Sequence, residues 1–336
     1  MTEPTYPMVA DRRPVPGRRV IAIVAVAILT VTACTDDPAA PGAPASGTAG
    51  TPATGPVTGP ATAAWTPVWS DDFDGAANAK LSAEDWIYSK GSGYRGGAKQ
   101  WGTGEIETMT DSPANVRLDG AGHLVITPVR TGAGAGRWTS GRVETRRTDF
   151  AAPPGGAVRM EASLQLPDVG GPQAAGYWSA FWALGAPARP VGATNWPHIG
   201  EWDVMEHVNG LDSVWHTLHC GTPVGGPCGE TTGLSSGQMP CPGCRAGFHT
   251  FAVEYDRGVT PEQLRWYVDG RNTFTVRADR VDAATWAAAN HHGFFIILNV
   301  AIGGAFPAAF GGGPTAATKS GVPMLVDRVA VQTRTG

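Results

Sequence analysis

The run Ile199-Gly200-Glu201-Trp202-Asp203-Val204-Met205-Glu206-His207 sets three carboxylates among residues that favour strands. Grouped acids repel one another and cost solvation energy, so a fold that keeps Glu201, Asp203 and Glu206 together has a use for them. On a regular strand Glu201 and Asp203 share a face because side chains alternate, whereas Glu206 falls on the other. One extra residue near Val204-Met205, a β-bulge, returns Glu206 to the face of the other two. Four effective strand steps at about 3.3 Å then part the Glu backbones by roughly 13 Å, and inward-leaning side chains leave about 5–6 Å between carboxyls. That gap suits double displacement at a glycosidic carbon, one acid acting as nucleophile and the other as acid/base. A metal site is the main rival. Hard-cation sites usually draw oxygen ligands from loops, however, and no His-x-His or D-x-D-x-D-G pattern accompanies these acids. A charged strand edge facing solvent is the plain alternative.

Such a strand needs a sheet, and the chain beyond Trp65 supplies many short strand candidates separated by Gly, Pro, Asp and Asn. They include 123–129, 141–148, 157–166, 178–184, 201–207, 214–219, 250–255, 265–268, 294–300 and 325–332. Arg265-Trp266-Tyr267-Val268 followed by Asp269-Gly270 predicts a hairpin, and the one plausible helix is short, around 283–290. Many strands with one acid-bearing face predict an all-β fold, a two-sheet antiparallel sandwich over residues 65–336. The 336 residues are 42% hydrophobic and 16% charged with net charge −4, an ordinary globular balance with no basic excess to attract nucleic acid. Twelve tryptophans are many, and their flat amphipathic rings suit stacking on sugars.

The N-terminal segment reads as an export signal. Arg12, Arg13, Arg18 and Arg19 precede an apolar stretch from Val20 to Val31 that is short for a membrane span. Val31-Thr32-Ala33-Cys34 resembles a bacterial lipobox, so residues 1–34 are expected to be a lipoprotein signal with Cys34 lipidated; a plain secretory signal is the alternative. Residues 35–64 are nearly all Ala, Gly, Pro, Thr and Ser and predict a flexible tether. The expected location is the cell surface, with membrane contact only through the lipid. Cys220, Cys228, Cys241 and Cys244 form an even set in an exported chain and predict two disulfides, with three pairings open. Zinc binding or a redox role for Cys241-Pro-Gly-Cys244 lacks a second ligand pair and a βαβ context.

With acids and strands laid out, the chain resembles glycoside hydrolase family 16, in its laminarinase-like (endo-β-1,3-glucanase) branch. Asn195-Trp196-Pro197-His198-Ile199-Gly200-Glu201-Trp202-Asp203-Val204-Met205-Glu206 is close to that branch's W-P-x-x-G-E-I-D-I-M-E. Supporting segments are Trp69-Ser70-Asp71-Asp72-Phe73, Trp178-Ser179-Ala180-Phe181-Trp182, Thr217-Leu218-His219, Trp266-Tyr267-Val268-Asp269-Gly270 and Leu298-Asn299-Val300-Ala301-Ile302-Gly303-Gly304. The resemblance spans about Val68 to Gln332 and implies a concanavalin-like β-jelly-roll with a substrate cleft along its concave sheet.

Carried over by position, the resemblance implies Glu201 as nucleophile, Glu206 as acid/base, and Asp203 as the assisting carboxylate between them. A charge beside Glu206 would help keep it protonated. His219 matches a histidine near the acids. Trp178, Trp182 and Trp196 match positions that line or support sugar subsites, with one of Trp178 and Trp182 expected to be buried. Glu105 and Arg142 match polar residues near the minus subsites, and Asn299 is either a cleft donor or a satisfied core amide. No cofactor is expected in catalysis. A structural calcium is implied at the carbonyls of Asp72 and Gly122 and the carboxylate of Asp327, oxygen ligands that suit this cation. Two departures stand out. Trp202 replaces an aliphatic residue and should point between the sheets, and Thr103-Gly104-Glu105 lacks the usual Asn-Asn. The cysteine-bearing loop 221–246 is expected to border the cleft. The expected activity is retaining endo-hydrolysis of β-1,3 or mixed β-1,3/1,4 glucan by a monomer whose partner is the polysaccharide. The alternatives are action on another polysaccharide such as a galactan, transglycosylation, or a non-catalytic carbohydrate-binding domain.

Overall fold

The computed structural model describes residues 64–336. The expected signal with Cys34, and all of the expected tether except Ala64, lie outside the described residues. Mostly short runs form the first strands: β1 (Thr66–Asp71), β2 (Trp86–Tyr88), β3 (Glu107–Met109), β4 (Val116–Leu118), β5 (Leu124–Ile126), β6 (Val129–Arg130), β7 (Trp138–Ser140) and β8 (Arg142–Thr145). Longer runs give β9 (Ala157–Gln165), β10 (Tyr177–Gly185), β11 (Glu201–Val208) and β12 (Ser213–His219). Two-residue strands β13 (Leu234–Ser235) and β14 (Met239–Pro240) precede β15 (His249–Asp256), β16 (Gln263–Val268) and β17 (Arg271–Arg277). Then come α1 (Ala283–Asn290), β18 (Phe294–Ile302), a single-turn helix α2 (Ala305–Ala309) and β19 (Met324–Arg334). Helix α1 lies where the one helix was expected, and the Asp282 carboxylate caps it by accepting the Thr285 N–H at 2.9 Å.

The strands pair into two large sheets, as the many strand candidates predicted, and each has eight strands. One runs β13-β12-β11-β10-β18-β8-β2, with β14 also on β12; the other runs β17-β16-β15-β9-β19-β5-β4, with β1 also on β19. The ladders of both sheets are antiparallel throughout. A small third sheet, β3-β7-β6, includes one parallel pair. The jelly-roll sandwich buries one continuous core between the large sheets, where Phe181, Trp202, Val204, Met205, Ile296 and Leu298 of the first meet Met160, Leu164, Phe251, Tyr255, Trp266 and Val329 of the second. Burying such side chains is worth about 1.5–3 kcal/mol each and fixes which face of every strand looks outward. Trp202 is fully buried as expected, stacked on Phe294 and donating its indole N–H to Asn290 Oδ1 at 2.8 Å.

The β16–β17 hairpin turns on Asp269 and Gly270, whose φ values of 48° and 74° are the left-handed pair that a tight two-residue turn requires. No helix among the described residues is long and apolar enough to cross a membrane. Cys220 pairs with Cys228 and Cys241 with Cys244. Each bridge therefore closes a short local loop, and none spans 221–246. That segment is tied down instead by β13 and β14, which hydrogen-bond to the outer edge of β12.

Candidate active site

The bulge lies where the acid spacing demands it. Across from β10, Phe181 faces Met205 and Trp182 faces Asp203, so Val204 has no partner; the β12 register slips over the same stretch. Val204 and Met205 both turn into the core, which leaves Glu201, Asp203 and Glu206 on the opposite, outward face. A bulge strands backbone carbonyls, and here two side chains take them up. Trp266 of the facing sheet donates its indole N–H to the Asp203 carbonyl at 2.8 Å, and His216 Nδ1 meets the Val204 carbonyl at 2.7 Å. Burial lowers the His216 pKa to about 4, so its ring is neutral and Nδ1 carries the proton. Gly200 opens the strand at φ 72°, and a Cβ there would sit 2.0 Å from the Ala289 carbonyl of α1, so only glycine lets Glu201 start here.

Cross-strand pairing gathers the rest of the site. Glu201 lies opposite His219, Trp182 opposite Asp203, Ala180 opposite Glu206 and Asn299 opposite Arg142. His219 Nε2 is 3.2 Å from Asp203 Oδ2 and 3.9 Å from Glu201 Oε1, with side chains 13%, 6% and 15% exposed respectively. Glu206 is buried to a similar degree and accepts the Trp178 indole N–H at 2.9 Å. Burial and the Asp203 charge push the Glu201 carboxyl up to about 8, against the pull of His219, Arg142 and the Trp196 indole. Burial and Asp203 also drive Glu206 well above the ordinary carboxyl value. Two cations act on Glu201 and one on Glu206, so ionisation falls to Glu201 first and the pair's proton stays on Glu206.

Ligating atoms of Glu201, Asp203 and His219 all lie within 4.8 Å of one another, a grouping that could suit a cation. Burial alone would lower the His219 pKa, but contacts to Asp203 and Glu230 and the Asp203 and Glu201 charges hold it well above its ordinary value. Protonated between Asp203 and Glu230, the ring supplies a positive charge at this grouping itself.

The expectation that one of Trp178 and Trp182 is buried fails. Both are half-buried on the site face, because Phe181 between them takes the core position and residues four apart share a side. The Trp182 indole donates to Asn299 Oδ1 at 2.8 Å, so Asn299 is a nearly buried amide that orients an aromatic wall. Trp196 is half-buried, its ring 5.4 Å from that of His219. Arg142 is buried, its guanidinium 4.3 Å from the Trp101 ring and 4.7 Å from the Trp182 ring, and it donates to Tyr94 Oη at 2.9 Å. Its guanidinium supports the Trp101 and Trp182 rings by cation–π contact. Glu105 is likewise buried, accepting from the Thr103 hydroxyl at 2.8 Å and bridged to Gly303.

Three further groups of this site escaped the sequence reading. Trp101 and Tyr94 sit in an irregular glycine-rich stretch with no period to assign them a face. Glu230 lies in the disulfide loop, where its 2.8 Å contact to His219 depends wholly on how the chain returns.

The three residues expected at calcium lie on the other sheet. Strand β19 leaves β5 at Val326 and takes up β1 at Val329, and its register to β9 slips between Val326 and Arg328, which makes Asp327 the extra residue. Asp72 follows the end of β1, Gly122 precedes β5, and both Asp72 and Asp327 are exposed. Backbone register thus brings these oxygen donors to one edge, with the Asp74 carboxylate 3.8 Å from where a Cβ on Gly122 would lie. Asp72 pairs its carboxylate with Arg328 at 3.3 Å, which leaves its carbonyl as the donor. The donor set fits a hard cation.

A scan against protein-family models finds no match. The endo-1,3-beta-glucanase of Streptomyces sioyaensis, solved as a crystal structure, is 54% identical, with 83% of this chain and 99% of that chain covered at a TM-score of 0.79. The beta-glucanase of Rhodothermus marinus is 31% identical over 262 residues, which is 74% of this chain and 79% of that protein. The clotting factor G alpha subunit of Tachypleus tridentatus is 28% identical over 226 residues, 67% of this chain but only 29% of that much longer protein. With a jelly-roll sandwich, an acid-bearing bulged strand, a Streptomyces glucanase covered nearly end to end and a Rhodothermus beta-glucanase covered over 79% of its length, the chain belongs to glycoside hydrolase family 16, in its laminarinase-like branch.

Proposed function

We propose that the domain is a retaining endo-acting hydrolase of β-1,3 or mixed β-1,3/1,4 glucan. The observation that carries this reading is the trio Glu201, Asp203 and Glu206 on one face of a bulged strand, with tryptophans along the same face. Glu206, protonated, gives its proton to the departing glycosidic oxygen while ionised Glu201 attacks the anomeric carbon and forms a glycosyl ester. Glu206, now a carboxylate, takes a proton from water, which attacks the same carbon and releases Glu201. Burial and the Asp203 charge favour the protonated form of Glu206, Arg142 acts on Glu201 to favour its ionisation, and Trp178 orients the carboxyl that carries the proton. The half-buried faces of Trp178, Trp182 and Trp196 are platforms for sugar rings.

Release of reducing ends from laminarin, lichenan, curdlan and agarose tests the reading, with Glu201→Gln as control. Turnover of the β-glucans that disappears in the control is expected; Glu201→Gln at wild-type rate would sink the assignment. The calcium at Asp72, Gly122 and Asp327 is proposed as structural, with no part in the reaction. Export and lipidation at Cys34 are likewise proposed, and mass spectrometry of the membrane fraction decides them. A monomer is expected and is read by light scattering of the purified domain.

A further inference from the structure

Glu230 is a carboxylate that the mechanism above does not use. Its side chain is wholly buried, and both oxygens are engaged: Oε1 accepts the Cys220 N–H at 2.8 Å and Oε2 lies 2.8 Å from His219 Nδ1. Burying a charged carboxylate is costly unless such partners are in place, so this one is held for a reason. The chain reaches it through a tight detour. The Cys220–Cys228 bridge closes the loop, and Gly225 and Glu230 exchange backbone hydrogen bonds across it. Gly233 then passes over the ring, where a Cβ would lie 2.9 Å from His219 Nδ1 and 2.6 Å from Thr217 Cγ2. The imidazole is thereby fixed from several sides, with Nε2 aimed at the acids of β11.

We propose that Glu230 is a positioning residue for the reaction, which anchors His219 through Nδ1 so that Nε2 stands between Asp203 and Glu201, and that the disulfide-closed loop serves to seat it. This rests on the glucanase reading above. The titratable groups facing His219 are Glu201 and Asp203 from β11 and Glu230 from the loop; β13 brings only Leu234 and Ser235, and the segment before β11 brings the Trp196 indole. Arg142 acts from β8 on Glu201. With a carboxylate at each ring nitrogen, both nitrogens keep their protons as donors, and the resulting cation favours the ionised nucleophile. No atom of Glu230 needs to touch the glucan.

The experiment uses the full chain with laminarin, as wild type, Glu230→Gln and Glu230→Asp, together with the double change Cys220→Ser and Cys228→Ser. Two readouts are taken: kcat and KM across pH, and the His219 ring nitrogen shifts by NMR near neutral pH. In Glu230→Gln the ring is expected to lose its imidazolium signature. Loss of a positive charge raises the Glu201 pKa, so the acid limb of kcat/KM moves up by about one pH unit, and kcat at neutral pH falls about tenfold with KM changed less than about threefold. Glu230→Asp, which keeps the charge on a shorter arm, is expected to fall between wild type and Glu230→Gln. The paired serine variant should move the limb in the same direction, and it decides the matter if Glu230→Gln does not fold. A folded Glu230→Gln with the wild-type profile and His219 still an imidazolium overturns the proposal. If wild type hydrolyses no glucan, the functional reading fails, and the nitrogen shifts still decide the role of Glu230.

Discussion

At the scale of residues, the site is a problem of one proton shared among neighbouring acids. Glu201 and Glu206 are chemically identical, and only their surroundings divide the roles. Burial and Asp203 raise both, but Glu201 feels the two cations His219 and Arg142, whereas Glu206 feels His219 alone and accepts from Trp178. Changing Glu206 to Gln removes the proton donor and is expected to lower kcat by about 10²–10⁴-fold on glucan, as loss of a general acid does. A substrate with an activated aryl leaving group needs less protonation, so it should retain far more of its first-step rate; burst kinetics on such a glucoside would measure this. The pH profile follows from the same surroundings. Activity needs Glu201 ionised and Glu206 protonated, and both carboxyls are raised, Glu201 to about 8. The acid limb of kcat/KM is therefore expected well above the pH of about 4 at which an unperturbed Glu ionises. A limb at that ordinary position would show that the groups are not desolvated as the structure has them.

At the scale of elements, β11 carries the chemistry only because its bulge is held. The Asp203 and Val204 carbonyls depend on Trp266 and His216, one from the facing sheet and one from the neighbouring strand. Replacing Trp266 by Phe keeps an aromatic in the core but removes the donor. The buried carbonyl is then unsatisfied, which is expected to cost about 1–3 kcal/mol in urea unfolding. The same change should lower kcat, because the carbonyl belongs to the residue between the two catalytic acids. A variant with wild-type stability and rate would show the bulge to be self-sufficient. The α1 side is held differently, with Trp202 bonded to Asn290 and the Asn290 amide to the Trp286 carbonyl. The aliphatic residue that the family resemblance places at Trp202 has no donor for such a link.

At the scale of the molecule, the sandwich keeps its chemistry on one sheet and the proposed calcium edge on the other. In the proposal above, an ion at the second location acts on stability alone. Calcium at about 100-fold over its dissociation constant contributes about 2.7 kcal/mol, which for a domain of this size corresponds to a Tm rise of roughly 5 °C. Thermal unfolding in calcium against a chelator should show that rise in wild type and its loss in Asp327→Ala, with glucan hydrolysis at moderate temperature unchanged in both. Equal melting in calcium and chelator would remove the ion from the account.

Much of this arrangement is legible in one dimension. The spacing of Glu201, Asp203 and Glu206 among apolar residues already demanded a bulged strand, since period-two alternation leaves no other way to share a face. Asp269-Gly270 announced its hairpin because few residue pairs accept two left-handed conformations in succession. Long strands such as β9, β10 and β18 were visible as strand-forming runs bounded by Gly, Pro, Asp or Asn. Of the three-residue strands near the N-terminus only β5 fell within an expected run; β2, β3, β4 and β7 did not, for so short a run carries no period. Burial of Arg142 and Glu105, the shared exposure of Trp178 and Trp182, and the grip of Trp266 on the bulge were also beyond reach. Each depends on which side chains meet from segments far apart in the chain. Local sequence decides which way a residue points along its own strand. What stands opposite it, and hence its charge state, its hydrogen bonds and its role, is decided only when the two sheets close and the disulfide loop returns Glu230 to His219.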